Sequence, residues 1–484
     1  MTGWRGRLNV SGTNDDETFG GFLRLQQNAG GAFGAALAWV WWRPIEAVKF
    51  QVGILDDFYV NDIVDTFGGN AEETGVHNTG TSFYGWSSNG LYSAGKLPTG
   101  GNWNWFDHDD DEETPQIWAY NDGSKILTPE GGVGSADDMA MLSFDDLMLG
   151  AFAQEFSTAG AALTIAPIEG LSINLAVPYG LGDGNNNLEW DWEAEKVYKE
   201  FLAQVQYDLT DIARVSLAFK GHMGQKREAL GEKTKWKPGL YEPTITSYEG
   251  TVHDGDDYGT IYLGVYFTMI ENLSLNLGLA FTMPEKQTWE YDNGADGTGN
   301  GTVSYEITNS RPLQIGLGAT FDLDPLSVAA RLGVGLGGKV EEKQTLGGIY
   351  KTEYDGSAKP PLSKTLEGNT QFGAQLLPSY DLGFLKIFLN CGLTITSFAD
   401  NYNKDLKIAN PRDAQVGFWV NPYVEKTMGP GSFFAGLDLY TNGPEIDWTK
   451  TIDASKSNTN GKYTYKYADT VLNWRIPVGM KFVF

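Results

Sequence analysis

The chain has 484 residues, a formal charge of −27, a single cysteine (Cys391), 61 glycines and 13% aromatic residues. That charge excludes a nucleic-acid surface, which needs a basic stripe to meet phosphates. One cysteine excludes an internal disulfide or a zinc-type cysteine cluster, and the lack of any run of 18 apolar residues excludes a spanning helix but not spanning strands.

Residues 1–30 hold Arg5, Arg7, Asp15, Asp16, Glu17 and Arg24 and no apolar h-region. A signal peptide is therefore absent from the sequence as given, and a chain bound for an outer membrane then reads as a mature, trimmed or truncated start. Period-two alternation predicts strands at 3–12, 17–27, 32–43, 46–56, 157–166, 171–180, 195–208, 213–222, 257–269, 272–283, 311–322, 326–337, 368–381, 384–395, 412–426, 432–442 and 471–484. In 171–180, Leu171, Ile173, Leu175, Val177 and Tyr179 oppose Ser172, Asn174, Ala176, Pro178 and Gly180. In 273–282, four leucines and Phe281 oppose Ser274, Asn276, Gly278, Ala280 and Thr282. Stretches of about ten residues are what a tilted strand needs to cross a bilayer. Aromatic residues extend the apolar face at both ends: Tyr207, Phe267, Phe321 and Tyr380 at one, Tyr179, Phe219 and Phe281 at the other. Two such girdles are expected at membrane–water interfaces.

The connections alternate in length. Short turns fall at 43–46, 167–170, 208–212, 270–272, 322–325, 381–383 and 429–431, with a loose repeat in PIEGLSINL, MIENLSLNL and LDPLSVAARL. Between them run long polar connections at 57–156, 181–195, 223–256, 284–310, 338–367, 396–411 and 443–470. Short periplasmic turns and long outer loops are the outer-membrane pattern. The last strand, VLNWRIPVGMKFVF, alternates and ends in Phe484. It resembles the terminal signature read by the barrel-assembly machinery, which makes that machinery an expected partner beside outer-membrane lipids.

The fold class expected is all-β: a transmembrane antiparallel up-and-down β-barrel of 16–18 strands, with 1–484 as one barrel and 57–156 as an acidic loop insertion. Barrels of this kind carry even numbers of strands. Two readings stay open: a strand preceding Met1, giving 18, or 3–12 falling short of a full strand, giving 16. The segments GRLNVSGTNDDETFGGFLRLQQ (6–27) and AWVWWRPIEAVKFQVG (38–53) resemble the N-terminal part of treponemal porin-like outer-membrane barrel proteins. That resemblance implies an outer-membrane location and a channel-like or surface role, and brings no catalytic residues with it.

With the apolar face outward, the cations that line the pore are Arg24, Lys49, Arg214, Lys220, Arg331, Lys386, Arg475 and Lys481, with Arg5 and Arg7 beyond them. The inward anions include Glu200, Asp322, Glu425 and Asp438. Their inward phase is required in any barrel, because charge on the lipid face is costly; rings of charge in a narrow lumen also set ion preference. Segment 57–156 is acidic, with Lys96 and Lys125 as its basic residues, and is expected either to constrict the lumen or to cap the barrel. Within it, Asp107, Asp109, Asp110 and Asp111 offer clustered carboxylates for Ca²⁺. His77, His108, His222 and His253 are scattered, with no GxSxG, HExxH or P-loop, so no enzyme is expected. The function expected is a porin passing small hydrophilic solutes. The alternatives are a surface adhesin displayed on the barrel, or a saccharide channel in which Trp419, Trp190 and Trp192 stack on sugar rings.

Overall fold

The computed structural model describes residues 5–28, 34–55, 120–121, 125–126, 158–178, 194–224, 226–227, 249–292, 301–310, 313–336, 339–348, 351, 363–367, 370–397, 409–429, 431–441, 446–451, 462–467, 469–476 and 478–482. Its main sheet is antiparallel and up-and-down, with 17 strands. These are β1 (Arg5–Thr13), β2 (Phe19–Asn28), β3 (Gly34–Ile45), β4 (Val48–Leu55), β5 (Thr158–Ile168), β6 (Leu171–Pro178), β7 (Leu202–Leu209), β8 (Ala213–His222) and β9 (Tyr258–Ile270). They continue as β10 (Leu273–Thr282), β11 (Leu313–Leu323), β12 (Leu326–Leu336), β13 (Thr370–Asp381), β14 (Lys386–Ser397) and β15 (Ala414–Met428). The last two are interrupted: β16 is Gly431–Gly436 with Asp438–Thr441, and β17 is Leu472–Arg475 with Val478–Phe482. Each expected strand segment contributes a strand, and the fold is almost entirely β, an antiparallel up-and-down sheet. The chain forms two compact units: β1–β9 and most of β10 belong to the first, and β11–β17 to the second.

Two expectations need correcting. The segment 195–208 begins as a short helix, α1 (Ala194–Lys199), and becomes strand only at Leu202. Ala194, Glu195, Lys196 and Lys199 are good helix formers with no alternation to hold them extended. The polar connections 223–256, 284–310 and 338–367 are not featureless either. Within the second unit, Lys226–Arg227, Glu249–Gly255, Glu285–Asp292, Gly301–Ser310, Lys339–Gly348 and Ser363–Glu367 pair into a six-stranded antiparallel sheet. A further hairpin joins Ile446–Thr451 to Lys462–Tyr467. Aromatic and β-branched residues such as Thr288, Trp289 and Tyr291 are interspersed with polar ones such as Lys286, Gln287 and Glu290, which is strand-forming without an apolar face.

The short turns show why the repeat recurs. Gly170, Asp211 and Asn272 hold positive φ of 80°, 62° and 62°, each just before the next strand begins. Gly, Asn and Asp are the residues that adopt this left-handed conformation at least cost. The repeats PIEG-L and MIEN-L thus place a permissive residue where the chain reverses.

The strand faces are inverted relative to a water-soluble sheet. On β8, Leu217 is 55% exposed while Ser216 is 1% exposed. On β10, Leu275, Leu277 and Phe281 are exposed while Asn276 is buried at 2%. On β15 the alternation runs unbroken, with Val416, Phe418 and Val420 outward and Gln415, Gly417, Trp419, Asn421 and Tyr423 buried. In the first unit the buried face packs Ala162, Ala176, Leu202, Ala218, Tyr262 and Ala280 together, with Trp39 against them. Small and polar residues inside, with leucine and phenylalanine outside, fit a sheet whose outer solvent is hydrocarbon. Among the described residues, no helix is long and apolar enough to cross a membrane.

Candidate functional site

The buried face of the main sheet gathers the polar side chains, and its chemistry follows from which strand contributes them. In the first unit, alternation puts Asn174 of β6, Gln204 of β7 and Ser216 of β8 on this face. Asn174 Nδ2 donates to Gln204 Oε1 at 3.0 Å, and Gln204 Nε2 donates to Ser216 Oγ at 2.7 Å. Near the turns, Arg214 pairs with Asp208 directly across the β7–β8 hairpin at 3.2 Å. At the far end of β8, His222 stacks on Tyr258 and its Nε2 lies 3.2 Å from Thr260 Oγ1.

The second unit has a matching ladder. Gln375 Nε2 of β13 and Trp419 Nε1 of β15 both donate to Asn390 Oδ1 of β14, at 2.8 Å and 2.9 Å. Arg331 of β12, 7% exposed, stands opposite Gln375 in register. At the turns, Lys386 lies 3.6 Å from Asp381 and opposite Glu425 in register, and Ser327 donates to Asp322. Hydrogen bonds across neighbouring strands pair the amides of Gln204 and Asn390 and the Trp419 indole, while Gln375 Oε1 is buried without a hydrogen-bond partner among the described residues.

Where the structure describes the expected pore residues, they are not an equivalent set. Arg214 and Lys386 are ion-paired; Arg331 is packed among amides; Lys220 follows Ser216 and Ala218 on the buried face of β8. Glu200 sits between α1 and β7 rather than on a strand. Arg24 donates through Nε to Asn9 Oδ1 at 3.1 Å and lies over the Phe22 ring. Asp438 stands opposite Arg475 in register, and Lys481 opposite Ser432. Trp419 is 1% exposed and hydrogen-bonded, so it offers no free ring for a sugar. Trp190, Trp192, Asp107, Asp109, Asp110, Asp111 and Phe484 lie outside the described residues, as does nearly all of 57–156.

The strand count alone did not reveal the aromatic–cation group on β2–β4. Lys49 Nζ and the Arg43 guanidinium lie 5.8 Å and 5.7 Å from the centre of the same Trp41 ring. Trp41 stands opposite Gly20, where a Cβ would come within 2.6 Å of the indole. The same Trp-over-Gly pairing recurs at Trp419 and Gly392, with a Cβ contact of 2.3 Å. In both places glycine leaves the room that lets an indole lie flat across the neighbouring strand. The signal in the sequence was WVWWRPIE, where Arg43 shares the phase of Trp39 and Trp41; it reads there as part of a turn.

No protein-family model matches the sequence. No curated protein matches it. Among solved structures, the ferric yersiniabactin uptake receptor FyuA of Yersinia pestis aligns with 100% of this chain and 56% of its own, at 9% identity and a TM-score of 0.33. The outer membrane channel DcaP of Acinetobacter baumannii aligns with 68% of this chain and 87% of its own, at 10% identity and a TM-score of 0.23. The toluene transporter TodX of Pseudomonas putida aligns with 92% of this chain and 83% of its own, at 10% identity and a TM-score of 0.25. This chain spans a little over half the length of FyuA.

Proposed function

We propose that this protein is an outer-membrane porin, a passive channel for small hydrophilic solutes. The observation that carries the reading is the inversion of the sheet. Leucine, valine and phenylalanine occupy the exposed face, while asparagine, glutamine, serine and paired charges occupy the buried one. A polar lining behind a lipid-facing apolar surface is what a water-filled route through a bilayer requires. The relationship to treponemal porin-like barrels rests on residues 6–27 and 38–53 alone. The alternating terminal strand supports assembly through the barrel-assembly machinery. In this reading, segment 57–156 is a lumenal constriction or outer cap, and its aspartates are candidate Ca²⁺ ligands.

The test is reconstitution of the refolded chain in planar bilayers. Stepwise ohmic conductance supports the porin; its absence in protein that has demonstrably inserted overturns it. A second reading, a surface interaction protein displayed on the strands, draws on the six-stranded sheet built from the polar connections. Inserted but non-conducting protein would favour it.

A further inference from the structure

The charges of the main sheet are divided unevenly along the chain. Strands β1–β6 contain Arg5, Arg7, Arg24, Arg43 and Lys49 and no Asp or Glu, in a chain with 62 acidic residues. From β7 onward, two cations of the main sheet have carboxylates across the hairpin, Arg214–Asp208 and Lys386–Asp381, while Arg331 stands opposite Gln375. On β3 and β4 the cations instead share an indole. Arg43 and Lys49 both lie within 6 Å of the Trp41 ring centre. Neighbouring strands set Gly20, Gln51 and Thr164 against this group in register, none of them anionic. The carboxylates of the adjoining turns, Asp15, Asp16 and Glu17 between β1 and β2 and Glu46 between β3 and β4, are exposed. Among the described residues, neither Arg43 nor Lys49 forms an ion pair with them.

We infer that Arg43, Lys49 and Trp41 form an anion site on the polar face of β2–β4 that takes small organic carboxylates. Two like charges held on one ring repel each other, and an anion between them relieves that repulsion while gaining two charge-assisted hydrogen bonds. The planar guanidinium suits a carboxylate bidentately, and the ammonium adds a point charge beside it. Phe22 and Trp39, stacked at 4.3 Å on the same face, continue the group as an apolar wall for the rest of the solute. The site would give the channel a preference for anionic solutes, and in that respect the inference rests on the porin reading.

Citrate is the probe, with glycerol as the uncharged control. Calorimetric titration of the folded full chain in detergent is expected to show citrate binding that weakens with added salt. Binding should fall several-fold in Arg43→Gln and Lys49→Gln, fall less in Arg43→Lys, which keeps the charge but not the planar fork, stay near wild type in the distant Lys466→Gln, and be absent for glycerol. In bilayers, the anion-to-cation permeability ratio from reversal potentials should fall in the same two neutral variants. Equal citrate binding by the wild type and both neutral variants, or no binding at all, overturns the site. Conductance with unchanged ion preference overturns it as a selectivity element. Citrate binding that depends on Arg43 and Lys49 in protein that never conducts leaves the site standing and removes the porin.

Discussion

Replacing Leu217 with arginine tests the inverted sheet most directly. Leu217 stands on β8 four residues beyond Ala213, opposite Leu263 of β9 and Val205 of β7, with its side chain 55% exposed. A strand rising about 3.3 Å per residue at a tilt near 40° climbs about 2.5 Å per residue, so Leu217 lies about 10 Å above the turn. That is close to the middle of an apolar band about 25 Å tall, where arginine costs about 2–4 kcal/mol. Leu209, opposite Ala213 at the turn itself, is also exposed, and arginine there should cost only about 0–1 kcal/mol. On a water-facing surface, both changes would fall within about 0.5 kcal/mol of zero. Urea titrations of Leu217→Arg and Leu209→Arg in phospholipid vesicles, followed by tryptophan emission, measure the difference. Equal costs at the two positions would refute the assignment of this face to lipid.

Three further predictions concern other regions. Asn390→Leu removes the acceptor shared by Gln375 and Trp419, leaving two buried donors unpaired, and should destabilise the fold by about 2–4 kcal/mol with a shift in Trp419 emission; unchanged stability would show that ladder to be incidental. Cys391 lies on the same face as its register neighbours Leu376 and Val420, both exposed, so a membrane-impermeant maleimide should label it only after denaturation; rapid labelling of inserted protein would place that face in water. In the six-stranded sheet, the hydrogen bond and charge of Glu306 hold the Lys286 ammonium above its ordinary range, with the two groups 2.8 Å apart. A raised lysine contributes fully below its unfolded pKa of about 10.4 and loses that contribution as pH rises through the folded value. The pair is exposed, so Lys286→Gln should cost no more than about 0.5 kcal/mol at neutral pH, and thermal melts should show that cost vanishing in strong alkali.

The strands were legible because alternation is a local property. Ser216 and Leu217, or Asn276 and Leu277, declare opposite faces whatever the tertiary structure. The αL turn residues were legible for the same reason, since Gly170 and Asn272 occupy the same place in a repeated phrase. Partnership was not. Nothing local says that Trp41 will lie over Gly20 rather than Gly21, because that depends on the register between strands, fixed by a turn at one end and a bulge at Arg24–Leu25. Nor does alternation distinguish a paired cation from one held on a ring: Arg214 and Lys49 have the same phase, yet one faces Asp208 and the other Trp41. The sheet in the polar connections escaped because its strands alternate without an apolar face, so hydrophobic period leaves no trace of it.

Alternation by itself is equally consistent with a soluble sandwich, in which the leucine face would be the core. The decision turns on which face has room inside. Leu217, Leu263 and Val205 form a contiguous row of branched side chains in register, whereas the opposite face offers Ser216, Ala218 and Gly264. Packing the small face inward brings adjacent side chains into the ladder Asn174–Gln204–Ser216, with each hydrogen bond at 3.0 Å or less. Packing the leucine face inward would leave those amides to water and bury nothing that could not be buried by lipid. The same arrangement recurs in the second unit, where Gln375 and the Trp419 indole N–H both donate to Asn390 on the strand between them. Two separate ladders, on strands with no shared sequence, thus agree on which face of the sheet is polar and buried, and the porin reading sets the opposite, leucine-bearing face against lipid.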